Sequence, residues 1–120
     1  EKIPLYINSA DLCLAPYFNP VVDETGISPL KIFEYMACAR AVIYTPAGGL
    51  GEVFGENEMG LAVYDRDPLA WVDPITGLLK DPAQLEHLGK MAHGLLQERF
   101  TWEAICKGIA SHLESMVKRK

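Results

Sequence analysis

The chain has 120 residues, 49% hydrophobic and 22% charged, which suits one small domain with a real core and is too apolar for disorder. Eleven Lys and Arg against sixteen Asp and Glu leave a net charge of -5, and the basic cluster Lys118-Arg119-Lys120 is confined to the end, so no nucleic-acid surface is expected. No stretch reaches the roughly 18 apolar residues of a membrane span. The opening Glu1-Lys2-Ile3-Pro4 is not a signal peptide but an abrupt start, as though something upstream were missing; a cytoplasmic protein, or one peripheral at the inner membrane face, is expected.

Ile3 to Ala10 reads as the last turns of a helix, and Asp11 to Pro16 as a short apolar strand buried on both faces. Tyr17 to Thr25 mixes Asn-Pro with Asp23 and Glu24 ahead of Gly26, which is loop chemistry. Ser28-Pro29 starts a helix that runs to about Ala39, Ser supplying an N-cap oxygen and Pro tolerating the first helical position. Ala41 to Thr45 is a second buried strand, closed by Pro46 and Gly48-Gly49 and followed by a short helix from Leu50 to Phe54. Gly60 to Tyr64 is the third strand. Pro68 to Leu79 reads as a helix with Leu69, Val72, Ile75 and Leu79 as its apolar stripe, and with a kink or break at Pro74. Asp81-Pro82 opens a helix to Glu98, and Thr101-Trp102-Glu103 opens the last, whose apolar stripe is Ile105, Ile109, Leu113 and Met116 or Val117.

Apolar strands alternating with helices call for an α/β fold, a Rossmann-like three-layer α/β/α arrangement on a short parallel sheet. No repeat, low-complexity segment or linker divides residues 1–120. The odd, widely spaced cysteines Cys13, Cys38 and Cys106 sit in apolar stretches and are expected as reduced, buried thiols.

Parallel sheets bind ligands beyond the carboxyl ends of their strands. The loop from Tyr17 to Ser28 ends at a helix start whose amides at Gly26, Ile27, Ser28, Leu30 and Lys31 suit an anion such as a pyrophosphate, with Lys31 adding a full charge. The plainer alternative is a helix start with a solvated lysine. Glu34 is the i+4 neighbour of Leu30, in a stripe with Phe33 and Ala37, and so at the edge of the apolar face. Its carboxylate needs a partner, either Lys31 at i-3 or the hydroxyls of a bound ribose.

The run Gly26-Ile27-Ser28-Pro29-Leu30-Lys31-Ile32-Phe33-Glu34-Tyr35-Met36-Ala37-Cys38, followed by Ala41-Val42-Ile43 and Gly48-Gly49-Leu50-Gly51-Glu52, resembles the signature region of GT-B-fold glycosyltransferases. The nearest group is the glycogen-synthase-like (glycosyltransferase group 1) superfamily of retaining enzymes, many of them in bacterial polysaccharide synthesis. Ala10-Asp11 to Pro16, Gly60-Leu61 to Asp67-Pro68 and Arg99-Phe100-Thr101-Trp102 extend the similarity through almost the whole chain. The resemblance implies the C-terminal part of a donor-binding domain. It also implies a nucleotide sugar such as a UDP- or GDP-sugar as donor, an N-terminal acceptor domain as partner, transfer in the cleft between the two, and no cofactor or bound metal. The upstream strands of that domain, with their Gly-rich turn and phosphate-contacting Arg and Lys, have no counterpart before Asp11, so the chain is expected to be inert by itself.

Carried across by position, the second glutamate of the family's Glu-x7-Glu motif falls on Glu34 and implies a contact to the ribose hydroxyls. The first falls on Gly26, a departure for which Glu24 or Asp23 would have to substitute in holding the donor sugar. Ser28, Pro29 and Leu30 would lie beside the donor's sugar and phosphates. Ala39 and Ala41 replace a frequent Gly and Pro. For Gly48-Gly49 close backbone packing is favoured over donor contact; Glu52 reads as a first-turn acid, and His87, His93 and His112 as surface residues without ligand spacing. No catalytic residue and no metal site is assigned.

Two rivals stand beside this reading, a small flavodoxin-like binding or regulatory domain and a naturally shortened relative serving as an interaction module. In the sheet order 3-2-1-4-5-6 that the resemblance implies, this chain supplies the last three strands. Leu12 to Ala15 then has an unpaired edge, from which a homodimer is expected.

Overall fold

The computed structural model describes residues 2–18, 30–55 and 59–118. In chain order these form α1 (Ile3–Asn8), β1 (Cys13–Ala15), α2 (Leu30–Ala37), β2 (Val42–Tyr44), α3 (Leu50–Gly55) and β3 (Leu61–Ala62). A 3-10 turn (Pro68–Trp71), α4 (Val72–Leu79), α5 (Pro82–Leu95), a π-helical turn (Leu96–Phe100) and α6 (Trp102–Val117) complete the described chain. The strands form one parallel sheet in the order β1-β2-β3, with Cys13 opposite Val42, Ala15 opposite Tyr44 and Ile43 opposite Leu61. That consecutive order matches the last three strands of the expected arrangement.

Apolar clusters cover both faces of the sheet. On one, Cys13, Ala15, Val42 and Tyr44 pack with Ile32 and Met36 of α2, Leu50 and Phe54 of α3, and Ala92 and Leu95 of α5. On the other, Ile43 packs with Val63, Trp71, Leu78 and Leu88. The three-layer α/β/α arrangement therefore holds. The central strand β2 is buried at every position, as a near-continuous apolar strand between two helical layers must be.

Helix starts follow the local chemistry. Asp67 Oδ1 accepts from the Leu69 amide at 2.9 Å, Asp81 Oδ1 from Gln84 at 2.9 Å, and Thr101 Oγ1 from Ala104 at 3.2 Å. Each satisfies an N–H that the first helical turn leaves free. The expected start at Ser28-Pro29 lies outside the described residues.

Several expectations are corrected. β1 is not buried on both faces, since Leu14 between Cys13 and Ala15 is 39% exposed. The buried stripe of α2 is Ile32 and Met36, flanked by half-buried Phe33 and Tyr35; Leu30, Glu34 and Ala37 are on the outside. In the 68–79 segment the buried residues are Trp71 and Leu78, while Leu69, Val72 and Leu79 are exposed. The helix changes type between Trp71 and Val72, so Pro74 falls in the first turn of α4, where no intrahelical N–H is required, and no break occurs there. Cys13 is buried and its thiol pushed up by desolvation, but Cys38 is half-buried and Cys106 exposed. On α6, none of the stripe from Ile105 to Val117 is buried.

Ala39 stands at φ 52, a left-handed conformation that costs a residue with a Cβ about 1–2 kcal/mol, offset in part by the extra freedom glycine has when unfolded. Ala39→Gly is accordingly expected to raise stability by roughly 0.5–1 kcal/mol in urea melts. A loss of stability would mean that the alanine methyl contributes packing.

Candidate functional site

The candidate site lies at the carboxyl ends of β1 and β2, where the chain after each strand turns outward. Ala15 accepts the Thr45 amide at 3.1 Å, prolonging the parallel ladder one residue past β2. Thr45 is 8% exposed, and its hydroxyl oxygen accepts the Tyr17 amide at 3.3 Å. This cross-link ties the segment after β1 to the segment after β2. Beyond Thr45, Gly48 (φ 57) and Gly49 (φ 91) take left-handed conformations that turn the chain into α3. A Cβ on Gly49 would meet nothing within 4 Å, so its role is conformational and the expected close packing is absent there. Glu52 occupies the first turn of α3, where its charge complements the helix dipole.

α2 begins with Leu30 and Lys31, and carries Glu34 one turn further along. Leu30 is 75% exposed, and Glu34 is exposed on the side away from Ile32 and Met36. Of the two partners open to Glu34, Lys31 is otherwise engaged: no ion pair joins them among the described residues, and the Lys31 ammonium stands 4.8 Å from the centroid of the Tyr17 ring. Tyr17 is half-buried against the first core cluster, as is Tyr35, one turn beyond Lys31. Burial pushes the Tyr17 hydroxyl above its ordinary range; for Tyr35, burial is again the main cause, partly opposed by the Lys31 charge. Both phenols are therefore neutral near pH 7.

The structure thus brings Lys31 beside Tyr17, which is tied to Thr45, with Leu30 next to Lys31 in the first turn of α2 and Glu34 exposed further along it. Glu24, Gly26, Ile27 and Ser28, with Asp23 and Pro29, lie outside the described residues. Tyr17 and Thr45 had no motif to announce them. The one available signal was their position, each at or just past the carboxyl end of an apolar strand.

His93 corrects the reading of the histidines as surface residues. It is half-buried on α5, and its Nδ1 lies 3.1 Å from the Met36 carbonyl oxygen at the end of α2, which also accepts the Ala39 amide at 3.0 Å. His87 and His112 are exposed. Among the described residues no cluster of three or more His, Cys, Asp or Glu could hold a metal ion, and no described helix is long and apolar enough to cross a membrane.

Comparison with known proteins places the chain in a family. Residues 1–81 match the family model described as glycosyl transferases group 1. The chain is 30% identical over its whole length to a D-inositol 3-phosphate glycosyltransferase of Xylanimonas cellulosilytica, of which it covers 27%. It is 30% identical over 113 residues to an alpha-maltose-1-phosphate synthase of Mycolicibacterium smegmatis, covering 89% of this chain and 28% of that protein. The structure superposes on the sucrose-phosphate synthase of Thermosynechococcus elongatus with a TM-score of 0.74 and 31% identity, covering 97% of this chain and 28% of that one. The chain spans about a quarter of the length of these relatives. With a model match over two thirds of its residues, a parallel sheet in the expected order and a GT-B enzyme as structural neighbour, the chain belongs to the glycosyl transferases group 1 family.

Proposed function

We propose that these 120 residues form the C-terminal part of the donor-binding domain of a glycosyltransferase. The parent enzyme binds a nucleotide sugar and transfers its sugar to an acceptor held by a separate N-terminal domain. The observation that carries this reading is Glu34: an exposed carboxylate on α2, not paired with the lysine one turn before it. Hydroxyl donors of a ribose suit such a carboxylate, which accepts from two directions. Lys31 supplies the cation for the phosphates, with Leu30 beside it; Ser28, Gly26, Ile27 and Glu24 complete the proposed donor contacts. The nucleotide sugar, of UDP or GDP type, is a substrate and not a resident cofactor. We assign the enzyme to the cytoplasm, with peripheral attachment to the inner membrane face as the variant.

Isothermal titration tests this. UDP- and GDP-sugars titrated into the intact transferase carrying this segment are expected to give saturable binding by at least one donor, and the absence of any would overturn the reading. The 120-residue chain by itself is expected to bind them only weakly and to transfer no sugar. Micromolar affinity in the short chain would mean that a complete donor site lies within it.

The edge of β1 supports a further expectation. Among the described residues β1 pairs only with β2, and its run Leu12-Cys13-Leu14-Ala15 has neither charge nor proline to discourage pairing. The isolated chain is expected to self-associate, a symmetric dimer being the simplest closed outcome. Light scattering should show twice 13.3 kDa, and a monomer at all concentrations would contradict it. Because Leu14 is half-exposed, Leu14→Lys should reduce association at little cost to the core.

A further inference from the structure

We propose that Tyr17 is a positioning residue that aims the Lys31 ammonium at the diphosphate of the donor, an inference that rests on the donor reading of the same site. A lysine on an exposed helix turn carries four rotatable bonds and loses much of their freedom when it engages an anion. Here the ammonium is already placed. It stands 4.8 Å from the Tyr17 ring centroid, within the range over which an aromatic face attracts a cation.

The ring is itself held. The Tyr17 amide donates to the buried Thr45 hydroxyl oxygen, and the side chain packs against the core cluster that includes Ile32 and Met36. Tyr35, one turn along α2 from Lys31, is half-buried against the same cluster. The Tyr17 phenol is pushed up by burial and stays neutral, so the ring offers its face and not a competing anion. Lys31 remains exposed, and among the described residues its ammonium pairs with no carboxylate. A cation kept off Glu34 by an aromatic face leaves that carboxylate to the ribose and stays available to phosphate oxygens. Tyr17 thus separates the two charges that would otherwise neutralise each other at i and i+3.

The test uses the intact transferase, Tyr17→Leu, Tyr17→Phe, Lys31→Met and the double variant, with kcat and donor KM measured on each and Glu34→Ala run alongside. Tyr17→Leu is expected to raise donor KM roughly three- to tenfold with kcat within about twofold, the pattern of lost ground-state binding. Tyr17→Phe, which keeps the face, recovers most of that loss, and Tyr17→Leu adds nothing in the Lys31→Met background. A Tyr17→Leu effect that persists undiminished without Lys31, or a Tyr17→Phe as poor as Tyr17→Leu, overturns the proposal. If Lys31→Met leaves KM unchanged while Glu34→Ala raises it, the positioning role is wrong and the donor site stands; if neither moves it, both fall. Should Tyr17→Leu fail to fold, fluorinated phenylalanines in place of Tyr17 weaken the face at nearly constant shape. KM must then climb with each added fluorine, and a flat response overturns the proposal.

Discussion

Gly89→Ala is expected to destabilise the protein by about 3 kcal/mol or more, the upper range for overpacking, because the collision is with backbone and not with a movable side chain. A Cβ on Gly89 would run into the carbonyl oxygen of Ala39, with the Ala39 carbonyl carbon at 2.8 Å and that of Arg40 at 3.4 Å. Those atoms cannot retreat easily. Ala39 is already held at φ 52, and the Ala39 and Arg40 amides are bonded to the carbonyls of Met36 and Tyr35 at 3.0 and 3.1 Å. The close approach seats α5 on the end of α2, where His93 also meets the Met36 carbonyl. Thermal melts decide it: Gly89→Ala should lower Tm by at least about 10 °C for a chain of this size. Gly94, five residues further on the same helix, is the control. A Cβ there meets nothing within 4 Å, so Gly94→Ala should stabilise slightly through helix propensity, by up to about 1 kcal/mol. Equal and mild effects at both positions would show that α5 does not rest on the Ala39 turn.

Glu34→Ala in the intact enzyme is expected to weaken donor binding by roughly 1.5–3 kcal/mol, the range for hydrogen bonds to a charged group, or about ten- to more than a hundredfold in Kd. The structure sharpens what this measurement can mean. Glu34 is exposed and makes no ion pair with Lys31, so its removal breaks no such pair and uncovers no core; Tm should stay nearly constant while affinity falls. An unchanged affinity would remove Glu34 from the donor site. A fall in stability with affinity intact would instead point to a structural contact, contrary to the exposed position of the side chain. Since Glu34→Gln keeps an acceptor oxygen but loses the charge, it should fall between wild type and Glu34→Ala.

Much of this was legible in the residues themselves. Apolar runs within 11–16 and 41–45, Pro68, and the signals Asp81-Pro82 and Thr101-Trp102 locate strands and helix starts because they act through neighbours in sequence: at Asp81 and Thr101 a side-chain oxygen reaches an amide three residues on. The ordered motifs around Glu34 likewise identified the family before any contact was known. The direction each helix faces was not legible. On α2, Leu30 and Ala37 fit an apolar stripe as well as Ile32 and Met36 do, and only the position of the sheet chose the latter pair. The same holds on α4, where Leu78 is buried and Leu79 exposed, and on α6, whose stripe meets no partner among the described residues that would bury it. Nor could the pairing of Lys31 be read from spacing, because i and i+3 permit an ion pair with Glu34 and say nothing of a ring 14 residues earlier. Local hydrogen-bond chemistry is written in neighbouring residues and so was determined by the sequence alone. Which face is buried, and which of two available partners a charge takes, depends on surfaces that distant segments bring together, and only the tertiary structure decided those.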